Sequence, residues 1–177
     1  MIKVKHITPV VIGDYPFAKE LKTSILPLLE DFKGGIPHDE TNVKAIHTEW
    51  DWESENIYLK KLKIYLLNEV ERNFSKNVYN FLGSKEKAEL TIPHYWGNVY
   101  NKGDYAQEHS HFPCAFSIVY FLKSQWYHSP FIFSDSGKKV RPKEGRFVIF
   151  PAYLWHKVPK HQFKETRITL SGNVYVK

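Results

Sequence analysis

The chain of 177 residues has a single cysteine, Cys114, so no internal disulfide can form and a reducing compartment is expected. It has no stretch approaching the roughly 18 consecutive apolar residues of a membrane span. Its first residues, MIKVKHITPVVIG, lack the layout of a signal peptide. A soluble, cytoplasmic protein that avoids the membrane is the expectation. No internal repeat or low-complexity tract is visible, which leaves solenoid and fibrous classes without support. A basic stripe is missing too. The formal net charge is +6, but Lys and Arg are scattered among acids. That surplus permits an anionic partner, nucleic acid included, and is also what an ordinary soluble surface carries.

What is present is a globular composition, 42% hydrophobic and 16% aromatic, in a length that suits one domain with a sizeable core. Residues 1–177 are therefore read as a single domain, with a helical preface and first strand over 1–88 and a β-rich core over 89–177. IKVKHITPVVI is β-branched and partly alternating, a strand pattern. Asp14 followed by YPFAKELKTSILPLLEDF reads as a helix that Pro27 would kink or cut short. Residues 34–54 read as a long irregular segment, with Trp50 and Trp52 as packing aromatics. From Asn56 to Leu82 the apolar positions Leu59, Leu62, Leu66, Val70, Phe74, Val78 and Phe81 step by three or four. They mark one face of a long helix stopped by Gly83.

From Glu89 onward seven short β-rich runs alternate with turn residues: ELTIPHYWGNVY, YAQEHSH, AFSIVYFL, PFIFSD, RFVIFP, LWHKV and RITLSGNVYV. That rhythm predicts a sandwich or small barrel, with the earlier helices packed on one sheet in an α+β arrangement.

The chemistry-bearing pattern begins at EHSHFPCAFSIVYFL, residues 108–122. His109 and His111 stand two apart, and on a strand positions i and i+2 share a face about 6–7 Å apart, close enough for two rings to meet on one ion. The alternative is a hydrogen-bonded core histidine beside a surface one. His156 follows the strand-like GRFVIFPAYLW, and Arg167 sits among apolar residues in ETRITLSGNVYV. A guanidinium in such surroundings needs an anionic partner. His6, His38, His47, His94, His128 and His161 lack partners at metal-ligand spacing, and Cys114 reads as a small core residue.

The ordered set H-x-H, then H, then R-x-T resembles the iron(II)- and 2-oxoglutarate-dependent oxygenases. It is most similar to a small branch of oxygenases from bacterial and phage genomes. The resemblance rests on Trp96, Asn98, Gly103, HSHFPCAFSIVYFL, GRFVIFP, HKVP and RITLSGN, and covers roughly residues 90–177. It implies a double-stranded β-helix, a jelly-roll or cupin-like barrel, with Fe(II) at one mouth. Its ligands would be His109, His111 and His156. Arg167 would clamp the distal carboxylate of the cosubstrate 2-oxoglutarate, assisted by Thr169 and by Tyr120 from a neighbouring strand.

One departure stands out. The facial triad of such oxygenases has two histidines and a carboxylate, and here the second position is His111. Glu108 should point to the opposite strand face, Asp104 lies near a turn, and Asp135 sits in a loop-like SDSG. Whether His111 or one of these carboxylates completes the triad stays open, as does iron against zinc. The implied function is a dioxygenase that uses dioxygen to hydroxylate an unidentified substrate (protein, nucleic acid or small molecule), releasing succinate and carbon dioxide. The rivals are a cupin-like metal protein that does not use 2-oxoglutarate, and a non-enzymatic nucleic-acid-binding β module.

Overall fold

The computed structural model describes residues 7–82 and 89–177, with side chains 75–82 left aside. The expected strand residues 2–6, the stop at Gly83 and the side chains of Val78 and Phe81 fall outside the described residues. Strand β1 (Val11–Asp14) leads into helix α1 (Ala18–Glu30). Two short strands follow, β2 (Val43–Lys44) and β3 (Ile46–His47), and then helix α2 (Ile57–Leu82). The remaining strands are β4 (Leu90–Tyr100), β5 (Tyr105–His109), β6 (Phe116–Lys123), β7 (Phe131–Phe133), β8 (Lys139–Val140), β9 (Arg146–Pro151), β10 (His156–Val158) and β11 (Arg167–Val176).

All strand pairs are antiparallel, and they form two sheets: six strands in the order β1-β9-β6-β11-β4-β3, and five in the order β2-β5-β10-β7-β8. This is a double-stranded β-helix with both helices on the six-stranded sheet, as expected. All seven β-rich runs of the sequence are strands here.

Strands β6 and β9 of the larger sheet are buried on both faces, and alternation along the inner strands sorts two cores. Ile118, Tyr120, Leu122, Phe147, Ile149, Ile168 and Leu170 face the helices, where they meet Leu21, Ile25 and Leu29 of α1 and Leu59, Leu62, Leu66 and Val70 of α2. The helix residues recur every three or four positions, one stripe turned to the sheet. Val119, Phe121, Val148 and Phe150 point the other way and meet Phe131, Phe133, Val43 and Val158 of the smaller sheet. Asn56 accepts from the Tyr58 backbone N–H at 3.0 Å and so caps α2.

Three details differ from expectation. Pro27 lies inside α1 without ending it, and the Asp31 N–H donates to its carbonyl. Cys114 is half-buried in the turn before β6, outside the core. Trp52 packs into the helix-side core, but Trp50 is 46% exposed.

Candidate metal and cosubstrate site

The imidazoles of His109, His111 and His156 converge between the two sheets. Each offers one ring nitrogen, and these atoms lie within 4.8 Å of one another. The register explains two of them: β5 and β10 pair so that His109 and His156 are direct cross-strand neighbours, with ring centroids 4.3 Å apart. His111 arrives differently. β5 ends at His109, and His111 lies just beyond it, its backbone N–H donating to the Ala152 carbonyl at 2.8 Å. Its ring centroid is 4.8 Å from that of His109 and 5.1 Å from that of His156.

Backbone carbonyls set the tautomers of the cross-strand pair. His109 Nδ1 lies 2.7 Å from the Gln107 oxygen, and His156 Nδ1 lies 2.9 Å from the Leu154 oxygen. With Nδ1–H donating in each case, Nε2 keeps its lone pair for a metal, the usual outer support of a ligating histidine. The remaining nitrogen contact of His111 is with the Asn173 amide at 3.5 Å, and Asn173 is itself held by the Ser117 hydroxyl at 2.9 Å.

Burial pushes the rings of His111 and His156 down to about 3, with repulsion from the neighbouring histidines adding to it, and burial lowers His109 as well. All three are neutral at pH 7, the state a metal requires. No carboxylate joins them. Glu108 is exposed and pairs with Lys157 at 3.2 Å, Asp104 accepts from the Asn101 N–H at 2.7 Å in its turn, and Asp135 is exposed. Among the described residues the triad is three histidines, a donor set that fits a borderline divalent ion such as iron(II) or zinc.

Arg167 opens the same cavity from the first position of β11. Arg167, Thr169, Ser171 and Asn173 share the face of that strand turned to the smaller sheet, and all four line the cavity that holds the three imidazoles. Arg167 is 1% exposed, with its guanidinium carbon 4.8 Å from the Tyr100 ring centre and 5.4 Å from that of Phe121. Among the described residues its Nε and Nη1 have no partner and no acidic side chain pairs with it. A buried guanidinium in that condition is built for an anion from outside the chain.

Thr169 lies two residues along the same face, where its hydroxyl accepts from the Asn98 amide at 3.3 Å. The Asn98 oxygen is buried without a partner. Asn98 and Tyr100 were not assigned a site role by sequence, although both stand on β4 directly beside β11, at Thr169 and Arg167. The signal available was their parity with Trp96 in WGNVY.

Tyr120 is a correction. It pairs in register with Leu170 and with Phe147, both turned to the helices, and packs 6.1 Å from the Tyr15 ring. Tyr120 faces away from Arg167, so it cannot touch a ligand held there.

Comparisons with known proteins agree with this architecture. Residues 134–173, which carry His156 and Arg167, match the family model described as "Putative 2OG-Fe(II) oxygenase". No curated protein sequence matches the chain. Among solved structures, the viral collagen prolyl hydroxylase of Paramecium Bursaria Chlorella virus-1, in complex with 2-oxoglutarate, superposes with a TM-score of 0.67 at 13% identity. That match covers 93% of this chain and 94% of the viral one. A Pseudomonas putida prolyl-4-hydroxylase gives 0.67 at 15% identity over 96% and 94%. HygX from Streptomyces hygroscopicus, with nickel, 2-oxoglutarate and hygromycin B bound, gives 0.66 at 11% identity over 95% and 83%. Likeness at such identities speaks to the fold. The family match spans the two strands that carry His156 and Arg167, and the chain shares the fold of these 2-oxoglutarate-binding oxygenase structures.

Proposed function

We propose that the protein is a non-haem iron(II), 2-oxoglutarate-dependent dioxygenase in which His109, His111 and His156 hold the iron. Arg167, with the Thr169 hydroxyl, receives the far carboxylate of 2-oxoglutarate. The observation that carries the reading is Arg167: buried, without a carboxylate partner, and opening on the same cavity as three neutral imidazoles. A cupin-like protein that does not use 2-oxoglutarate would leave that guanidinium without a purpose.

When bound there, iron with 2-oxoglutarate and dioxygen supplies the oxidative chemistry of the superfamily, hydroxylating a substrate while releasing succinate and carbon dioxide. The chain's own contribution is orientation and exclusion of water. Gln107 and Leu154 carbonyls aim two imidazoles, the guanidinium fixes one end of the cosubstrate in bidentate fashion, and Val119, Phe131 and Phe150 keep the cavity wall dry. The two helices and both sheets share continuous cores, in keeping with one domain over 1–177. No helix among the described residues is long and apolar enough to cross a membrane, and the lone cysteine favours the cytoplasm as its place.

The test is anaerobic iron titration of the parent, His111→Ala and His111→Asp, followed by succinate assay in air. His111→Ala leaves two protein ligands and should bind iron clearly more weakly. His111→Asp supplies a carboxylate at the same facial position and should keep it. Undiminished iron binding by His111→Ala would return the third ligand to Asp104, Glu108 or Asp135.

A further inference from the structure

An open groove of about 350 Å³ lies against the triad and shares His109 and His111 with it. Its wall is aromatic. The His47 and Trp96 rings stack at 5.5 Å and 15°, Trp50 stands edge-on to both at 4.8 and 4.7 Å, and Trp96 lies 6.2 Å from His111. The ring ladder therefore runs from a half-exposed tryptophan to a residue of the triad.

Two polar groups in this wall have no partner among the described residues. His47 is 1% exposed and its Nδ1 sits 2.5 Å from the Thr48 carbonyl, so Nδ1–H donates there and Nε2 is left as a buried acceptor with nothing to accept from. Trp96 Nε1 is likewise buried without an acceptor.

The charge around the groove opposes that of the rest of the molecule. Asp39 and Glu40 line it and are exposed, whereas Asp51 and Glu55, further along the chain, pair with His94 and Lys60. Lys44 also lines the groove and is the one Lys or Arg between Asp39 and Glu55; its ammonium keeps its charge and donates to the His38 and Thr41 carbonyls. The charged lining of the groove is therefore two carboxylates to one ammonium, net acidic on a chain whose formal net charge is +6. The three imidazoles add no negative charge of their own, so the acidity belongs to the rim.

We propose that this groove takes the substrate by an alkylammonium group, either a free aliphatic amine or a lysine side chain of a peptide. The ammonium stands against the Trp50–Trp96 ring faces, donates to His47 Nε2 and is neutralised by Asp39 and Glu40, while the carbon chain extends toward His109 and His111. Ring faces attract cations, a neutral imidazole acceptor suits an N–H donor, and a carboxylate rim raises the local concentration of cations. The inference deepens the oxygenase reading and rests on it, because the shared edge with the triad is what makes the groove a substrate site.

The experiment is calorimetric titration of the iron-loaded, 2-oxoglutarate-saturated protein under nitrogen. One arm uses 1,5-diaminopentane against pentane-1,5-diol, and the other uses acetyl-Gly-Lys-Gly-amide against the same peptide acetylated on its lysine. The amine form should bind about tenfold or more tightly than its neutral counterpart in at least one arm, and the stronger arm identifies the source. Affinity should fall in Asp39→Asn/Glu40→Gln, whose exposed side chains are not part of the core, and should fall with added salt. Equal binding of charged and neutral probes, or no binding of either amine, overturns the proposal. Binding of 2-oxoglutarate, measured beforehand in the same samples, keeps the two readings separate: its failure counts against the oxygenase, and its success with failure of the amines counts against the groove alone.

Discussion

A guanidinium that is 1% exposed with two unpartnered nitrogens is expensive to bury in the ligand-free protein. Arg167→Met keeps much of the side-chain length and removes the charge. The ligand-free variant should therefore melt higher than the parent, while 2-oxoglutarate raises the melting temperature of the metal-loaded parent only. Binding of 2-oxoglutarate should weaken by ~2–5 kcal/mol, and iron binding should persist because the three imidazoles are untouched. Thermal melts with and without metal and 2-oxoglutarate check all three. A variant that melts lower and still gains from 2-oxoglutarate would mean that the protein satisfies this guanidinium by itself. The convergence of His109, His111 and His156 is legible in the sequence from the H-x-H spacing and from the histidine that follows GRFVIFPAYLW, and Arg167 from its apolar neighbours. Tyr120 is not legible in this way. Its strand reads FSIVYFLK, apolar on both faces, so parity cannot say which side is which until β6 lies against β11 with Tyr120 beside Leu170. Asn98 and Tyr100 are hidden by the same two-sided burial of β4.

Elements are legible in proportion to their length. The seven longer β-rich runs and both helices can be read from period and punctuation, whereas β2, β3 and β8 are two residues each and carry no period at all. Residues 34–54 therefore read as irregular, although β2 and β3 within them close the edges of both sheets and carry His47 to the groove. What fixes this stretch is local backbone. Gly35 has φ +95, and a Cβ built on it would fall on the His47 carbonyl oxygen, which also accepts from the Ile36 N–H at 2.9 Å. Both the dihedral and the contact require glycine. Gly35→Ala should cost ~1–3 kcal/mol in urea unfolding and should displace β3, leaving the triad on β5 and β10 competent for iron. An unchanged unfolding midpoint would mean that the loop yields without moving the strand. The helices show the opposite case: Pro27 reads as a break, yet α1 continues because Leu21, Ile25 and Leu29 are held against the sheet, and packing outweighs one lost backbone hydrogen bond.

At the scale of the whole molecule, the fold holds five histidines in neutral form. Burial pushes His111 and His156 down to about 3 and His128 to about 4, and it lowers His47 and His109. His128 and His161 stand ring to ring at 4.7 Å, so for His128 the second histidine adds its repulsion. In the unfolded chain each of these groups titrates near 6.5. Between the mid-sixes and about pH 4 the unfolded state therefore binds more protons than the folded one, and the stability of the metal-free protein must fall as pH falls through that window. The carboxylate with a lowered value that is at all buried, Asp14, acts further down, below its ordinary 3.8. Metal adds to the slope. An ion held by three neutral imidazoles stabilises only the folded chain, by about 2.7 kcal/mol at a hundredfold excess over Kd, and protons compete for the same nitrogens. Melting temperatures measured from pH 8 to pH 5 should drop for the metal-free protein and drop more steeply for the metal-loaded one, the two curves converging at the acid end. His109→Gln, which removes one ligand, should flatten the metal-dependent part and leave the slope from His47 and His128. Melting temperatures that stay level across this range without metal would mean that the buried imidazoles take up protons in the folded protein as readily as in the unfolded chain.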